Sequence, residues 1–203
     1  MVKVLLVTGY RRTGKDTLYE MMVGNKPMTW CVYHKQGADK LRLKQVLDSR
    51  SWVKASFAHH IKVMVLQDYN ARYDKRYMFD DIEMIKDVMM PDGLTLRDML
   101  ISKGDEMKLI DKDYWSKLVL NNVVRDTVVT DWRFIDEATY ALPLKEVTTI
   151  RLFRPEVNVP DKAIVSEHDL DCYDTDLLLV TDRTGFDEAV KLFPQYKDFE
   201  PLV

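Results

Sequence analysis

The chain has 203 residues, 46% hydrophobic and 31% charged, which is enough for one globular domain with a real core and excludes wholesale disorder. The net charge of −3 argues against a protein that grips nucleic acid polymers, since such proteins carry a basic excess as a rule. No stretch approaches the roughly 18 apolar residues of a membrane span. Cys31 and Cys172 are too distant in sequence for a metal-binding spacing or a disulfide framework, so a soluble protein of the reducing cytosol is expected.

Residues 2–8 are apolar and β-branched almost throughout, as suits a strand buried on both faces of a parallel sheet. The run Val4–Val7 is too short for a signal-peptide core. A glycine loop follows at 9–14. A helix is predicted over 15–23, with Leu18, Met21 and Met22 on one face and Gly24-Asn25 as its stop. A short strand is read at 30–33, a helix at 38–47, a second sheet strand at 52–57 and a helix through Ile61, Met64, Val65 and Tyr69. Another helix is predicted over 80–90, opened by Asp80-Asp81 and closed by the turn Pro91-Asp92-Gly93.

Thr95 is expected to cap a helix carrying Leu96, Met99 and Leu100 that Gly104 strains or ends, and Asp113 to cap the next. Strands at 127–130, 147–153 and 177–180 alternate with helices at 134–141 and 185–193, separated by a polar, irregular stretch at 154–176. Such alternation predicts an α/β fold, a three-layer sandwich around a mostly parallel central sheet. The whole chain, 1–203, reads as one domain, with a lid segment at about 154–176.

The strongest local signal is Gly9-Tyr10-Arg11-Arg12-Thr13-Gly14-Lys15-Asp16-Thr17, which has the Gly-x4-Gly-Lys frame of a phosphate-binding loop. Its glycines let the backbone turn so that N–H groups point at an anion, and the following helix adds its positive end. Lys15 can then reach the β and γ phosphates of a nucleotide. One position departs from the usual frame: Asp16 stands where a Ser or Thr hydroxyl normally meets Mg²⁺. Either Asp16 binds Mg²⁺ through water, or it only favours the helix N-terminus by charge.

A second signal is Val128-Val129-Thr130-Asp131-Trp132-Arg133, which places an acid at the C-terminal end of a buried strand. In open α/β sheets that edge binds ligands. Asp131 there can hold Mg²⁺ or its waters and Arg133 can fork onto a phosphate, or the acid simply caps the next helix. His59, His60 and His168 have no carboxylate or cysteine at ligand spacing and read as surface or structural histidines.

With these blocks in hand, the sequence resembles the deoxynucleoside monophosphate kinases of phages and large DNA viruses, a branch of the P-loop nucleoside monophosphate kinases. The resemblance rests on Gly14-Lys15-Asp16-Thr17, on Ser56-Phe57-Ala58 with Lys62, and on Leu94-Thr95-Leu96-Arg97-Asp98-Met99-Leu100 ahead of Gly104-Asp105-Glu106. It continues in Asp131-Trp132-Arg133-Phe134-Ile135-Asp136-Glu137-Ala138 and Ser166-Glu167-His168-Asp169-Leu170-Asp171. These blocks keep their order over most of the chain, and residues 25–50 lie outside them. Two departures are Asp105, where the family more often has Thr, and Trp132, where it has a smaller residue.

The resemblance implies a P-loop kinase fold and ATP on the loop, held by Gly9, Arg11, Arg12, Thr13, Gly14, Lys15, Asp16 and Thr17. It implies a lid bearing Arg151 and Arg154, adenine near 181–185, and Mg²⁺ at Asp16 or Asp131. Catalysis would fall to Lys15, Arg133 and Asp131, and the acceptor monophosphate to Arg97, Arg133, Lys62 and Glu167. The implied partners are small-molecule nucleotides rather than a nucleic acid polymer or a membrane. Related nucleotide kinases are often dimers, so a homodimer is open here too. Animal-type phosphomevalonate kinases share the Gly-Lys-Asp loop, an Asp-x-Arg block and a Ser-Glu-x-x-Leu-Asp block, and are the second resemblance. A non-catalytic nucleotide-binding module is the third reading, without a guanine-reading Asn-Lys-x-Asp motif to favour it.

Overall fold

The computed structural model describes residues 2–161 and 168–202, and these form an α/β arrangement of seven strands and eight α-helices. They fall into two compact units. One comprises the chain up to Ala55 and from Val123 on; the other is Ser56–Asn122.

The first unit holds the sheet. Strands β1 (Lys3–Thr8), β2 (Cys31–Lys35), β3 (Val53–Ala55), β4 (Thr127–Val129), β5 (Glu146–Phe153), β6 (Leu177–Val180) and β7 (Phe199–Pro201) lie in the order β3-β4-β1-β5-β6-β2-β7. The first five in that order run parallel. Strand β2 is antiparallel to both β6 and β7 and extends one edge. Helices α1 (Lys15–Met22) and α2 (Lys40–Asp48) pack Leu18, Met22, Leu43 and Val46 against Leu5, Ile150, Leu177 and Leu179. The alternate β6 residues Leu178 and Val180 join Phe153, Ala189 and Phe193 around helix α8 (Arg183–Leu192). Helix α7 (Ile135–Ala141) follows β4. The sheet is thus covered on both faces, as a three-layer sandwich requires.

The second unit is helical: α3 (Phe57–Tyr73), α4 (Ile82–Ile85), α5 (Leu96–Ile110) and α6 (Tyr114–Leu120). Val65, Leu66, Tyr69, Ile82, Ile85 and Leu96 form its core. Thr95 caps α5 in a reciprocal box, accepting from the Asp98 N–H at 3.1 Å while the Asp98 carboxylate accepts from the Thr95 N–H at 2.9 Å.

Several element readings change. The helix predicted over 80–90 shrinks to a 3₁₀ turn and α4. In a longer helix the Lys86 carbonyl would accept from the Met90 N–H; instead it accepts from Arg97, and Met90 donates to Leu94. Gly104 neither ends nor interrupts α5, which runs on to Ile110. A Cβ there would lie 3.2 Å from Ile61 Cδ1, so glycine lets α5 approach α3. Asp113 sits at the N-cap of α6, but its side chain makes no cap hydrogen bond. Strand β7 went unpredicted. Among the described residues no helix is long and apolar enough to cross a membrane.

Candidate functional site

Strand β1 lies between β4 and β5, so the chain leaves β1 where the strand order reverses. In open α/β sheets that crevice is the usual ligand site. The Gly9–Gly14 loop occupies it. Gly9 has φ 139°, and a Cβ there would fall 2.5 Å from the Leu152 carbonyl oxygen, so only glycine fits. Gly14 has φ 96° and sits at the N-cap of α1 with no side chain capping the helix. Arg12 is also left-handed, at φ 71°, which stores on the order of 1–2 kcal/mol in a non-glycine residue. The Thr13 hydroxyl and N–H both donate to the Tyr10 carbonyl, at 2.9 and 3.2 Å, and close the turn. Lys15 folds back over it, Nζ donating to the carbonyls of Gly9 at 2.5 Å and Tyr10 at 2.9 Å. Arg11 and Arg12 are exposed, and Thr17 is partly buried on the first turn of α1.

The two sequence signals meet at Asp16. Its Oδ1 accepts from the Thr130 hydroxyl at 2.9 Å and from Lys54 Nζ at 2.8 Å. Neighbouring protein desolvates this carboxyl and pushes its pKa up. Hydrogen bonds from Lys54 and Thr130, with the charges of Lys54 and Lys15, outweigh that and hold it below the usual carboxylate range. Lys54, the middle residue of β3, belongs to no sequence motif; its signal was its place on a predicted strand. Asp131 and Arg133 follow Thr130 and are half-buried. Buried Glu137 accepts from the backbone N–H groups of Arg133 at 2.9 Å and Phe134 at 3.1 Å, fixing the turn that carries Arg133. Trp132 is in the core, its ring edge-on to Tyr173 and its Nε1 donating to the Phe134 carbonyl at 2.8 Å.

Other predicted site residues lie elsewhere. Arg151 is not on an irregular lid segment; it belongs to β5 and is 2% exposed. Its guanidinium donates to Tyr196 Oη at 2.9 Å and to the Leu170 carbonyl, lies 3.7 Å from Asp171, and stacks over Phe193. A buried guanidinium with this many partners anchors the core, and an ATP contact would require dismantling them. Arg97 and Lys62 belong to the second unit. There Arg97 grips Asp87 through two bonds of 2.5 and 3.1 Å, and Lys62 stands 3.7 Å from Glu83. Glu167 and part of the predicted lid lie outside the described residues.

Arg154 directly follows β5, with its guanidinium 5.3 Å from the centre of the Trp30 ring. Strand register pairs Phe153 and Cys31 with Val180, so Arg154, Thr181 and Trp30 come next, side by side at one edge of the sheet. All three carry buried polar atoms with no partner: Arg154 Nε, Thr181 Oγ1 and Trp30 Nε1. Such orphans cost about 1–3 kcal/mol each, and a ligand with hydrogen-bonding groups would relieve them. They adjoin the loop, since a Cβ on Gly14 would lie 3.5 Å from the Trp30 ring. Trp30 carries no sequence signal of its own.

Behind the loop, the Tyr10 hydroxyl donates to the Asp171 carboxylate at 3.1 Å. His168 Nδ1 meets the same carboxylate at 2.6 Å, and its Nε2 meets the Pro160 carbonyl at 3.1 Å. Both partners accept, so the two contacts are satisfied together only while the ring carries two protons. The Asp171 hydrogen bond raises the His168 pKa, against a smaller desolvation effect and with help from the Pro160 carbonyl. This contribution to stability is complete below the unfolded value near pH 6.5 and declines as pH rises through the higher folded value. The Tm gap between wild type and His168→Gln should therefore narrow as pH rises above the unfolded value of about 6.5. A gap that does not change with pH would show that protonation of this ring does not stabilise the fold.

Compared with known proteins, the chain matches no family model, and a search of curated proteins returns no significant match.

Proposed function

We propose that this protein is a P-loop kinase that transfers the γ-phosphoryl group of ATP to a (deoxy)nucleoside monophosphate, giving the diphosphate. The observation that carries this reading is the Gly9–Gly14 loop at the strand-order reversal, with the uncapped end of α1 and Lys15 Nζ converging on it. The adjoining Trp30, Arg154 and Thr181, with their orphaned polar atoms, favour a ligand that carries a base and sugar beyond its phosphates.

In this reading the loop amides and Lys15 hold the β and γ phosphates, and Arg12 and Arg133 balance charge on the transferred group. The acceptor is already an anion near neutral pH, so no strong general base is required. Among the described residues no cluster of three or more His, Cys, Asp or Glu is built to hold a metal. That fits Mg²⁺, which binds largely through phosphates with one or two protein carboxylates. Asp16, through the oxygen not bonded to Lys54 and Thr130, and Asp131 would sit in its outer shell. Mg²⁺ would neutralise phosphate charge. Arg97 and Lys62 are assigned to the acceptor on the resemblance alone, and cytosolic placement and a homodimer belong to the same proposal.

The test is ATP consumption by the purified protein across all ribo- and deoxynucleoside monophosphates, with mevalonate 5-phosphate as a further acceptor. Turnover stimulated by one or more nucleoside monophosphates is expected. Stimulation by mevalonate 5-phosphate alone would replace the acceptor class, and slow hydrolysis indifferent to every acceptor would replace the kinase with a binding module.

A further inference from the structure

Asp16 is the loop's one departure from the usual frame, and it raises an electrostatic problem. A carboxylate in the first turn of α1 places negative charge where, on the reading above, a polyphosphate binds. At a separation of about 6 Å and an effective dielectric near 20, one such repulsion weakens binding about 100-fold.

The chain supplies a counter-charge from another element. Lys54 projects from β3 onto Asp16 Oδ1 at 2.8 Å, and the Thr130 hydroxyl holds the same oxygen from the end of β4 at 2.9 Å. Three consecutive segments of the ligand-binding edge therefore converge on one atom. Lys54 is not consumed by this contact. An ammonium has three donors, Asp16 takes one, and the Lys54 side chain keeps 41% of its surface exposed. The Tyr19 ring, 5.9 Å away, bounds it on one side. A surface ion pair contributes little stability, so the pair is better explained by what it does to the site's charge.

We propose that Asp16 and Lys54 act as one unit, in which Asp16 positions Lys54 at the exit of the loop as a further phosphate-binding residue. This rests on the loop's binding a polyphosphate. It accounts for an acid at position 16: Asp16 gives up a neutral hydroxyl and gains a placed cation, and the local charge stays positive because Lys15 and Lys54 together exceed it.

The experiment is a double-mutant cycle read by calorimetric binding of inorganic tripolyphosphate, without divalent cations, to wild type, Lys54→Met, Asp16→Ser and the double variant. Lys54→Met leaves Asp16 uncompensated and should bind about 100-fold more weakly. Adding Asp16→Ser to it should recover about tenfold or more, because the repulsion leaves with the carboxylate. Lys54→Arg should stay close to wild type, and unchanged melting temperatures would separate these effects from unfolding. Lys54→Gln serves in place of Lys54→Met if the latter melts early. Wild-type affinity in Lys54→Met, or no recovery in the double variant, overturns the proposal. A Lys15→Ala control separates the two levels. Binding lost in Lys15→Ala but indifferent to Lys54 removes only this inference, whereas no binding by wild type removes the phosphate-loop reading and this inference with it.

Discussion

Replacing Lys15 with alanine is expected to reduce acceptor-dependent ATP turnover by about 10²–10³-fold while the protein stays folded. The reason is positional. Lys15 opens α1, and its ammonium reaches back to the carbonyls of Gly9 and Tyr10, so the charge hangs over the loop instead of pointing to solvent. A phosphoryl group on the loop amides would meet that ammonium as charge moves from γ toward β phosphate. The fold should survive because β1 and α1 are anchored by Leu5, Val7, Leu18 and Met22, all fully buried. Two part-buried lysine hydrogen bonds to carbonyls are lost, each worth at most about 1.5–3 kcal/mol for a charged donor and less where water replaces the ammonium. Single-turnover transfer and thermal melting measured on the same preparation decide it. Turnover within about threefold of wild type would remove the loop from the chemistry, whatever the acceptor.

The second large effect is on stability. Arg151→Met should destabilise the protein by about 3–5 kcal/mol, roughly 10 °C in Tm for a chain of this size. Removing the guanidinium takes a donor from the Leu170 carbonyl and from Tyr196 Oη in the interior, removes the charge 3.7 Å from Asp171, and empties the face of Phe193. Methionine restores volume but none of the hydrogen bonds. If Arg151 instead served ATP from a mobile segment, the variant would melt like wild type and lose nucleotide affinity. Denaturant titration with and without ATP separates the two outcomes.

The effects are linked through Asp171, which accepts from Tyr10 on the loop, meets His168 and lies 3.7 Å from Arg151. A loss of Arg151 should therefore loosen the back of the loop as well as the core.

The local sequence carried β1, the loop and α1, because the apolar run, the two glycines and Lys15 act on neighbours within about ten residues. The glycine at position 9 is required by a carbonyl from β5, yet its identity already announced a tight turn. The strands β4, β5 and β6 were legible for a similar reason: buried over most of their length, they are rich in apolar and β-branched residues, although β5 also carries Thr148, Thr149 and Arg151. Helix periodicity over 80–90 misled, because long-range backbone bonds from Arg97 and Leu94 compete with the helical ones and win.

What the sequence by itself determined is thus the α/β class and the glycine-framed strand-to-helix loop, both set by short-range patterning. Only the tertiary structure decided which charges serve the loop. Arg151 looked available and is buried, since its partners lie about 20 to 45 residues further along the chain. Lys54 looked like an ordinary strand residue and reaches Asp16 past β4, the strand between β3 and β1. A side chain's charge is written in the sequence, but its partner is chosen by packing, and the partner determines whether that charge is spent on the core or left for a ligand.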